Sequence, residues 1–412
     1  MRFYETILPN GLEIIAECND SAYSAALGFF VKTGSRDETP QVAGISHFLE
    51  HLVFKGTETR SAADVNRQLD EMGADSNAST SEEQTLFYAT VLPELQGDFV
   101  ELFADLLRPA LRQEDFDMEK QVVLEEIGMY EDQPPFGIDE KCRELFYPNH
   151  PLGHNILGSI DSVGRTTVED VREYLDVRYS SDNIVLVACG RIDFEKLVEQ
   201  ANRFCGHWKP SDPKNPKYRR SLSKIPGKRG SFHVEKESAT LQYVLQLVDG
   251  PDEFDDDLFA ADLLTCILGD EVGSRLFWKL VDPGTVESLG LSLYEFLDNG
   301  YFLTGLCCAP EVAERSMETI AGIYRKITKD GIVEDELTRA VNKTLSRLVL
   351  GNERPCNRLF SVASEWIARK KYWSIHEEID KINRVTRNDI TEVLRKYPLD
   401  NPLTLTVGPK RF

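Results

Sequence analysis

Residues 46–54 read SHFLEHLVF, and His47, Glu50 and His51 carry the groups that bind metals and move protons. In the surrounding GISHFLEHLVFKG, the apolar residues Ile45, Phe48, Leu49, Leu52 and Val53 recur with a helical period, so one face would be buried. At ~100° per residue the two histidines lie ~40° apart, with Glu50 ~60° to the other side of His47. Neutral imidazoles on consecutive turns can reach one zinc ion. A carboxylate between them would sit near the metal without being forced to bind it, and so could take a proton from the attacking water. A lone helix histidine is ordinarily a hydrogen-bonded structural residue. Three such residues at fixed spacing would arise by chance about once in a hundred such chains.

A zinc site of this kind needs a third protein ligand and an open fourth position. The stretch DFDMEKQVVLEEIGMYED (115–132) offers one. On a helix, Glu119, Val122, Val123, Glu126, Met129 and Tyr130 share one face, while Gln121, Glu125, Gly128 and Asp132 form a polar one. A carboxylate on an apolar face is costly unless it is paired or bound to a metal. Glu126 is therefore the expected third ligand and Glu119 a supporting residue. An ion pair to a neighbouring basic side chain is the alternative for either.

The elements that must hold these residues show an internal repeat. DVREYLDVRYSSDNIVLVACG (170–190) and DITEVLRKYPLDNPLTLTVG (389–408) share one plan of Asp, helix, Tyr, short loop, Asp-Asn, β-rich strand and Gly. Asp182-Asn183 and Asp400-Asn401 stand 218 residues apart in a chain of 412, which implies two copies of one domain. The join is expected near residue 220, within HWKPSDPKNPKYRRSLSKIPGKRG (207–230), which is rich in Pro, Ser, Gly and basic residues. Domain one is then 1–220 and carries the metal motif; domain two is 221–412 and lacks metal ligands. Each begins with strands (13–32 and 231–248) and continues with helices, so the expected class is α+β, a mostly antiparallel sheet covered by helices in each half. A long helical stretch is expected over 333–370.

Composition narrows the function classes. With 41% hydrophobic and 28% charged residues, the chain is of ordinary globular type, and no apolar run approaches the roughly 18 residues of a spanning helix. The N-terminal MRFYETILPNGLEIIAE reads as strands around a turn rather than as a leader, giving the expectation of a cytoplasmic protein with no membrane partner. Eight cysteines without framework spacing suggest reduced thiols. A net charge of −22 argues against nucleic acid.

His-x-x-Glu-His is the inverzincin motif, and the chain resembles the pitrilysin or insulin-degrading family of zinc peptidases, which includes the mitochondrial processing peptidase and its compact bacterial relatives. GISHFLEHLVFKGT, EMGADSNASTSEEQTLFYA, MEKQVVLEEI, HPLGHNILGS and NIVLVACG follow the family in order, with 74 residues between His51 and Glu126. GSRLFWKLVDPG and GLSLYEF resemble its second domain. The resemblance implies one zinc held by His47, His51 and Glu126, Glu50 as general base and Glu119 in support. It also implies that Ser76, Asn77 and Ala78 lie on an edge strand pairing with an extended peptide substrate. Family members place two similar domains in each half of a clamshell, so a chain of this length implies a homodimer or a heterodimer with a family partner. The implied activity is that of a zinc metalloendopeptidase acting on peptides enclosed in a chamber; the alternatives are a zinc-bearing subunit active only with a partner chain, or a non-catalytic assembly subunit.

One departure matters. Active relatives carry an Arg, and seven residues later a Tyr, that grip the substrate carbonyl; here Val281 and Ser288 stand at those positions. Tyr294 or Tyr301 could substitute, or a partner subunit could supply the pair. His150 and His154 in HPLGH are expected to be structural or substrate-contacting, and Cys307-Cys308 to be packing residues on a strand.

Overall fold

The structure, a computed structural model, describes residues 1–132, 135, 137–212 and 222–409, the side chains of residues 131 and 132 excepted. The strands are β1 (Arg2–Ile7), β2 (Glu13–Cys18), β3 (Ala25–Val31), β4 (Asp75–Thr80), β5 (Thr85–Val91), β6 (Ile184–Gly190), β7 (Gly230–Glu235), β8 (Gln242–Asp249), β9 (Ser288–Glu295), β10 (Gly300–Cys308) and β11 (Leu403–Gly408). The helices of the first half are α1 (Ile45–Val53), α2 (Ala62–Glu71), α3 (Gln96–Leu106), α4 (Gln113–Asp132), α5 (Ile138–Phe146), α6 (Ile160–Arg165), α7 (Val168–Arg178) and α8 (Phe194–Cys205). Those of the second are α9 (Leu258–Gly269), α10 (Ala313–Asp330), α11 (Glu334–Asn352), α12 (Pro355–Arg369), α13 (Ile375–Arg384) and α14 (Arg387–Lys396).

The strands form two mixed, mainly antiparallel sheets, ordered β1-β2-β6-β3-β5-β4 and β7-β11-β8-β10-β9. β6 runs parallel to β2 and antiparallel to β3, just as β11 runs parallel to β7 and antiparallel to β8. Apart from β1, the two topologies are identical, so the sequence repeat is a repeat of fold. The Asp opening each copy has a local cause: Asp170 and Asp389 complete capping boxes with Thr167 and Thr386 at the starts of α7 and α14. The Tyr that follows each helix, Tyr179 or Tyr397, is buried. β6, reading IVLVACG, is buried along its whole length, as befits a strand inside a sheet covered on both faces.

The chain divides into two compact units, residues 1–129, 154–221 and 350–372 in one, and 130–153, 222–349 and 373–412 in the other. They are not the two contiguous stretches that a single division near residue 220 gives, because each half lends a helical segment to the other unit. The expected join itself falls among residues 213–221, outside the described residues. Sheet cover explains the exchange. In the first unit Leu359, Val362 and Ala363 of α12 pack against Ile15, Ala26, Phe30, Val185 and Val187, while Phe29, pointing to the opposite face, stacks on Phe99 of α3. In the second, Ile138, Cys142 and Phe146 of α5 cover Leu247, Leu403 and Leu405. Its other face packs Val244, Phe302 and Leu306 beneath α9, α10 and α14. A sheet needs apolar cover on each buried face, and a helix from either half of the chain can provide it.

The helical stretch expected over 333–370 is two helices. α11 ends at Asn352 and α12 starts at Pro355, with Arg354 held extended at φ −90°, ψ 125°. Proline keeps the residue before it out of the helix and itself suits the first helical position. α12 is fixed by a buried ion pair, Arg358 to Glu17 at 2.9 Å, and by the fully buried Leu359. Leu359→Ala is expected to lower unfolding free energy by about 2–5 kcal/mol, read as a reduced urea midpoint. No helix among the described residues is long and apolar enough to cross a membrane.

Candidate active site

His47, Glu50, His51, Ser76, Asn77, Ala78, Glu119 and Glu126 all lie in the first unit. α1 buries Ile45, Phe48, Leu49, Leu52 and Val53, the whole apolar set read from its period. It starts at Gly44, whose φ is +91° and where a side-chain Cβ would stand 2.4 Å from the Leu157 carbonyl oxygen, so no other residue fits. His47 and His51 project from the helix beside this core, His47 buried and His51 half-buried.

α4 supplies the facing carboxylates, but on a face rotated from the one expected. Phe116, Glu119, Val123 and Ile127 are buried, whereas Val122 and Met129 are exposed. Apolar residues are spread around this helix, so periodicity alone leaves its inner face ambiguous, and packing on the unit settles it. Glu119 stays on the buried face at 4% exposure, Glu126 is half-buried beside it, and Glu125 points to solvent.

The histidines and Glu126 meet. His47 Nε2 and His51 Nε2 lie 3.3 Å apart, and Glu126 Oε2 lies 3.7 Å from the first and 3.6 Å from the second. Ligand bonds of about 2.0–2.1 Å in a tetrahedron put donor atoms ~3.4 Å apart, so the triangle has the size of three zinc ligands. Among the described residues it is the one group of His, Cys, Asp and Glu close enough to hold a metal ion. His51 Nδ1–H donates to Glu119 Oε1 at 3.0 Å, which leaves the Nε2 lone pair free to face inward. Burial, with the neighbouring His51, pushes the His47 imidazole down to about 3, so it is neutral rather than a cation at ordinary pH. The nearby Lys55 ammonium is engaged at 2.5 Å by the other oxygen of Glu119. Two imidazole nitrogens and a carboxylate oxygen converging at this spacing fit a divalent metal.

Glu50 lies beside this triangle. Thr80 Oγ1 donates to its Oε2 at 2.7 Å. Burial raises the carboxyl pKa, opposed by the Thr80 bond and by His51 and reinforced by Glu126, in the direction that suits a proton shuttle. Ser76, Asn77 and Ala78 are not among the groups that meet there. They lie on β4, at the edge of its sheet, paired on one side with β5. Ser76, Ala78 and Thr80 alternate onto the less exposed face, so the strand reaches Glu50 through Thr80.

Lys55 and Thr80 were not singled out by sequence reasoning. Lys55, four residues after His51, answers the need of a buried Glu119 for a cation, so the ion-pair alternative applies to Glu119. Thr80 follows from Ser76 by period two. His150 and His154 have structural partners: Nε2 of the buried His150 lies 3.3 Å from Ser223 Oγ, and Nδ1 of His154 lies 3.2 Å from the Ser35 carbonyl. In the second unit, Tyr301 is buried in the core under α5, while Tyr294, stacked on it at 5.0 Å, is 40% exposed. All eight cysteines are free, Cys308 buried and Cys307 half-buried.

Two family descriptions match in succession, the insulinase family (peptidase family M16) over residues 13–159 and the peptidase M16 inactive domain over residues 165–344. An uncharacterized zinc protease of Streptomyces coelicolor is 30% identical over 414 aligned residues, spanning 98% of this chain and 89% of its own. The uncharacterized zinc protease YmxG of Bacillus subtilis is 30% identical over 97% of both chains. The fold is shared with the crystal structure of a protease from Helicobacter pylori, at a TM-score of 0.91 and 21% identity over 98% of this chain and 99% of that one. It is also shared with a peptidase M16 inactive domain structure from Pseudomonas fluorescens, at 0.90 and 14% identity over 100% and 98%. With relatives aligned almost end to end, this chain belongs to the insulinase, or M16, family of zinc peptidases.

Proposed function

We propose that this chain is a zinc-dependent endopeptidase that cleaves extended peptides enclosed in a chamber, with one zinc held by His47, His51 and Glu126. The observation that carries this reading is the 3.3–3.7 Å triangle of donor atoms with Glu50 beside it and the edge strand β4 tied to Glu50 by Thr80. When bound, zinc supplies Lewis-acid chemistry, polarising the scissile carbonyl and acidifying water. Glu50 accepts the proton as water oxygen attacks the carbonyl carbon, then returns it to the leaving amine nitrogen when the C–N bond breaks. Glu119 holds His51 in the tautomer that faces the metal, and Lys55 pairs with the other Glu119 oxygen and so fixes that carboxylate in place. β4, including Ser76, Asn77 and Ala78, pairs with the substrate backbone as an added strand, which selects extended peptides by main-chain hydrogen bonds.

The carbonyl grip favours a second element. Val281 offers no donor, and Ser288 only a short hydroxyl, where relatives of this kind carry Arg and Tyr. Losing one donor to a developing oxyanion costs about 2.7–4 kcal/mol. Tyr301 is too deeply packed to reach a substrate, which leaves Tyr294 or a partner subunit in a homodimer or heterodimer. Tyr294→Phe is expected to reduce kcat about 10²–10³-fold without changing bound zinc if Tyr294 serves; unchanged kinetics would assign the grip to the partner. The free cysteines suit a reducing compartment, and we place the enzyme in the cytoplasm. The reading is tested by peptide hydrolysis that a chelator abolishes and stoichiometric zinc restores; hydrolysis indifferent to chelation would refute it.

A further inference from the structure

The segment TGSRDE (33–38), between β3 and the start of α1, is a loop with the burial of a core: Thr33, Ser35, Arg36, Asp37 and Glu38 are at most 5% exposed. Charged groups in such a place need specific partners, and here the partners lie on two sides of the candidate site. On one side, Glu38 Oε2 accepts the N–H of Gly44 at 2.7 Å and Oε1 the N–H of Ser46 at 2.8 Å. These are N–H groups at the first turn of α1, which has no side-chain cap of its own because its cap residue is glycine. A carboxyl group brought in from outside does the capping through these two bonds, while burial pushes its pKa up to about 8.

On the other side the loop grips the turn that follows β4. Ser35 N–H donates to the Ser81 carbonyl at 3.2 Å and Arg36 N–H to the Glu82 carbonyl at 2.9 Å. The fully buried Arg36 side chain pairs with Glu83 at 2.6 Å. Gly34 approaches so closely that a Cβ there would stand 2.1 Å from the Ser81 carbonyl oxygen. α7 locks the loop from behind, Arg178 pairing with Asp37 at 3.1 Å and donating to Thr33 Oγ1 at 2.7 Å.

We propose that residues 33–38 are a positioning brace which sets the distance and register between the metal-bearing helix α1, through Glu38, and the substrate-pairing strand β4, through Arg36 and Glu83. This rests on the reading of His47, His51 and Glu126 as the zinc site and of β4 as the substrate edge. A loop serving only to stabilise the fold needs no link to both α1 and the β4–β5 turn. Here the loop joins the element that holds the metal to the element that would hold the peptide, and so decides which peptide bond lies over the metal. The two ends make separable predictions.

The test uses the full chain with Glu38→Gln at one end, Glu83→Gln and Gly34→Ala at the other, and Val187→Ala, a buried β6 substitution far from the loop, as a control for lost stability. Zinc affinity is measured by competition with a chromophoric chelator, the cobalt-substituted protein by its visible spectrum, and cleaved bonds by mass spectrometry of a peptide library. Glu38→Gln is expected to weaken zinc about 10–100-fold, as loss of a supporting partner does, and to shift the cobalt bands. Glu83→Gln and Gly34→Ala are expected to keep wild-type zinc affinity while KM rises and cleaved bonds scatter along each peptide. Val187→Ala is expected to lower the melting temperature alone. Loop variants that behave as Val187→Ala does would overturn the brace. Zinc bound by the wild type and lost in Glu126→Ala would show that the metal reading itself stands in that case.

Discussion

Replacing Glu126 with alanine is expected to abolish stoichiometric zinc binding, while Glu125→Ala retains about one zinc per chain. The two residues are neighbours with the same chemistry, so the contrast isolates geometry. Glu126 Oε2 lies 3.6–3.7 Å from both histidine nitrogens, whereas Glu125 is exposed. Removing a direct ligand should cost more than the about 10–100-fold that follows loss of an outer hydrogen-bond partner. Metal analysis of the purified proteins decides it, and equal zinc in both variants would sink the assignment. Glu119→Gln is the graded companion: it keeps an acceptor for His51 Nδ1–H but weakens the hold of Lys55, so zinc should be bound more weakly without being lost.

The second large effect is kinetic. Glu50→Gln should keep about one zinc per chain and lower kcat by about 10²–10⁴-fold, the range expected when a general base is removed. Glutamine keeps the size of the side chain and an oxygen to accept from Thr80, so the fold and the metal should be undisturbed. What it lacks is basicity. A loss confined to kcat, with KM little changed, marks a group that acts in the transition state. A variant that still turns over at the wild-type rate would remove Glu50 from the mechanism.

What could be read in the sequence follows the range of the interactions involved. His47, Glu50 and His51 sit on one short helix, where spacing alone fixes direction. Glu126 was accessible through a physical requirement, that a carboxylate on a buried face must meet a cation, even though the face drawn around it included Val122 and Met129, which are exposed, and omitted Phe116 and Ile127, which are buried. The repeat was legible because Asp170 and Asp389 are capping residues and Tyr179 and Tyr397 core residues, each a local necessity of the same helix-to-strand unit. The exchange of α5 and α12 between the two units was not legible: an amphipathic helix states that it needs a sheet to cover, not which one. Lys55 and Thr80 were missed for a similar reason, since both act on residues brought near them only by the fold. The gap between α11 and α12 was written in Pro355, and a strict reading of proline as helix punctuation would have found it.

The measurement that bears most directly on the central claim is cleavage of a mixed library of unstructured peptides by the purified, zinc-loaded chain, read by mass spectrometry beside Glu50→Gln at equal zinc content. Cleavage of internal peptide bonds by the wild type and none by the variant is the expected result. Equal cleavage by both, or none by the wild type even with a family partner added, would contradict the assignment of this site as a zinc endopeptidase centre.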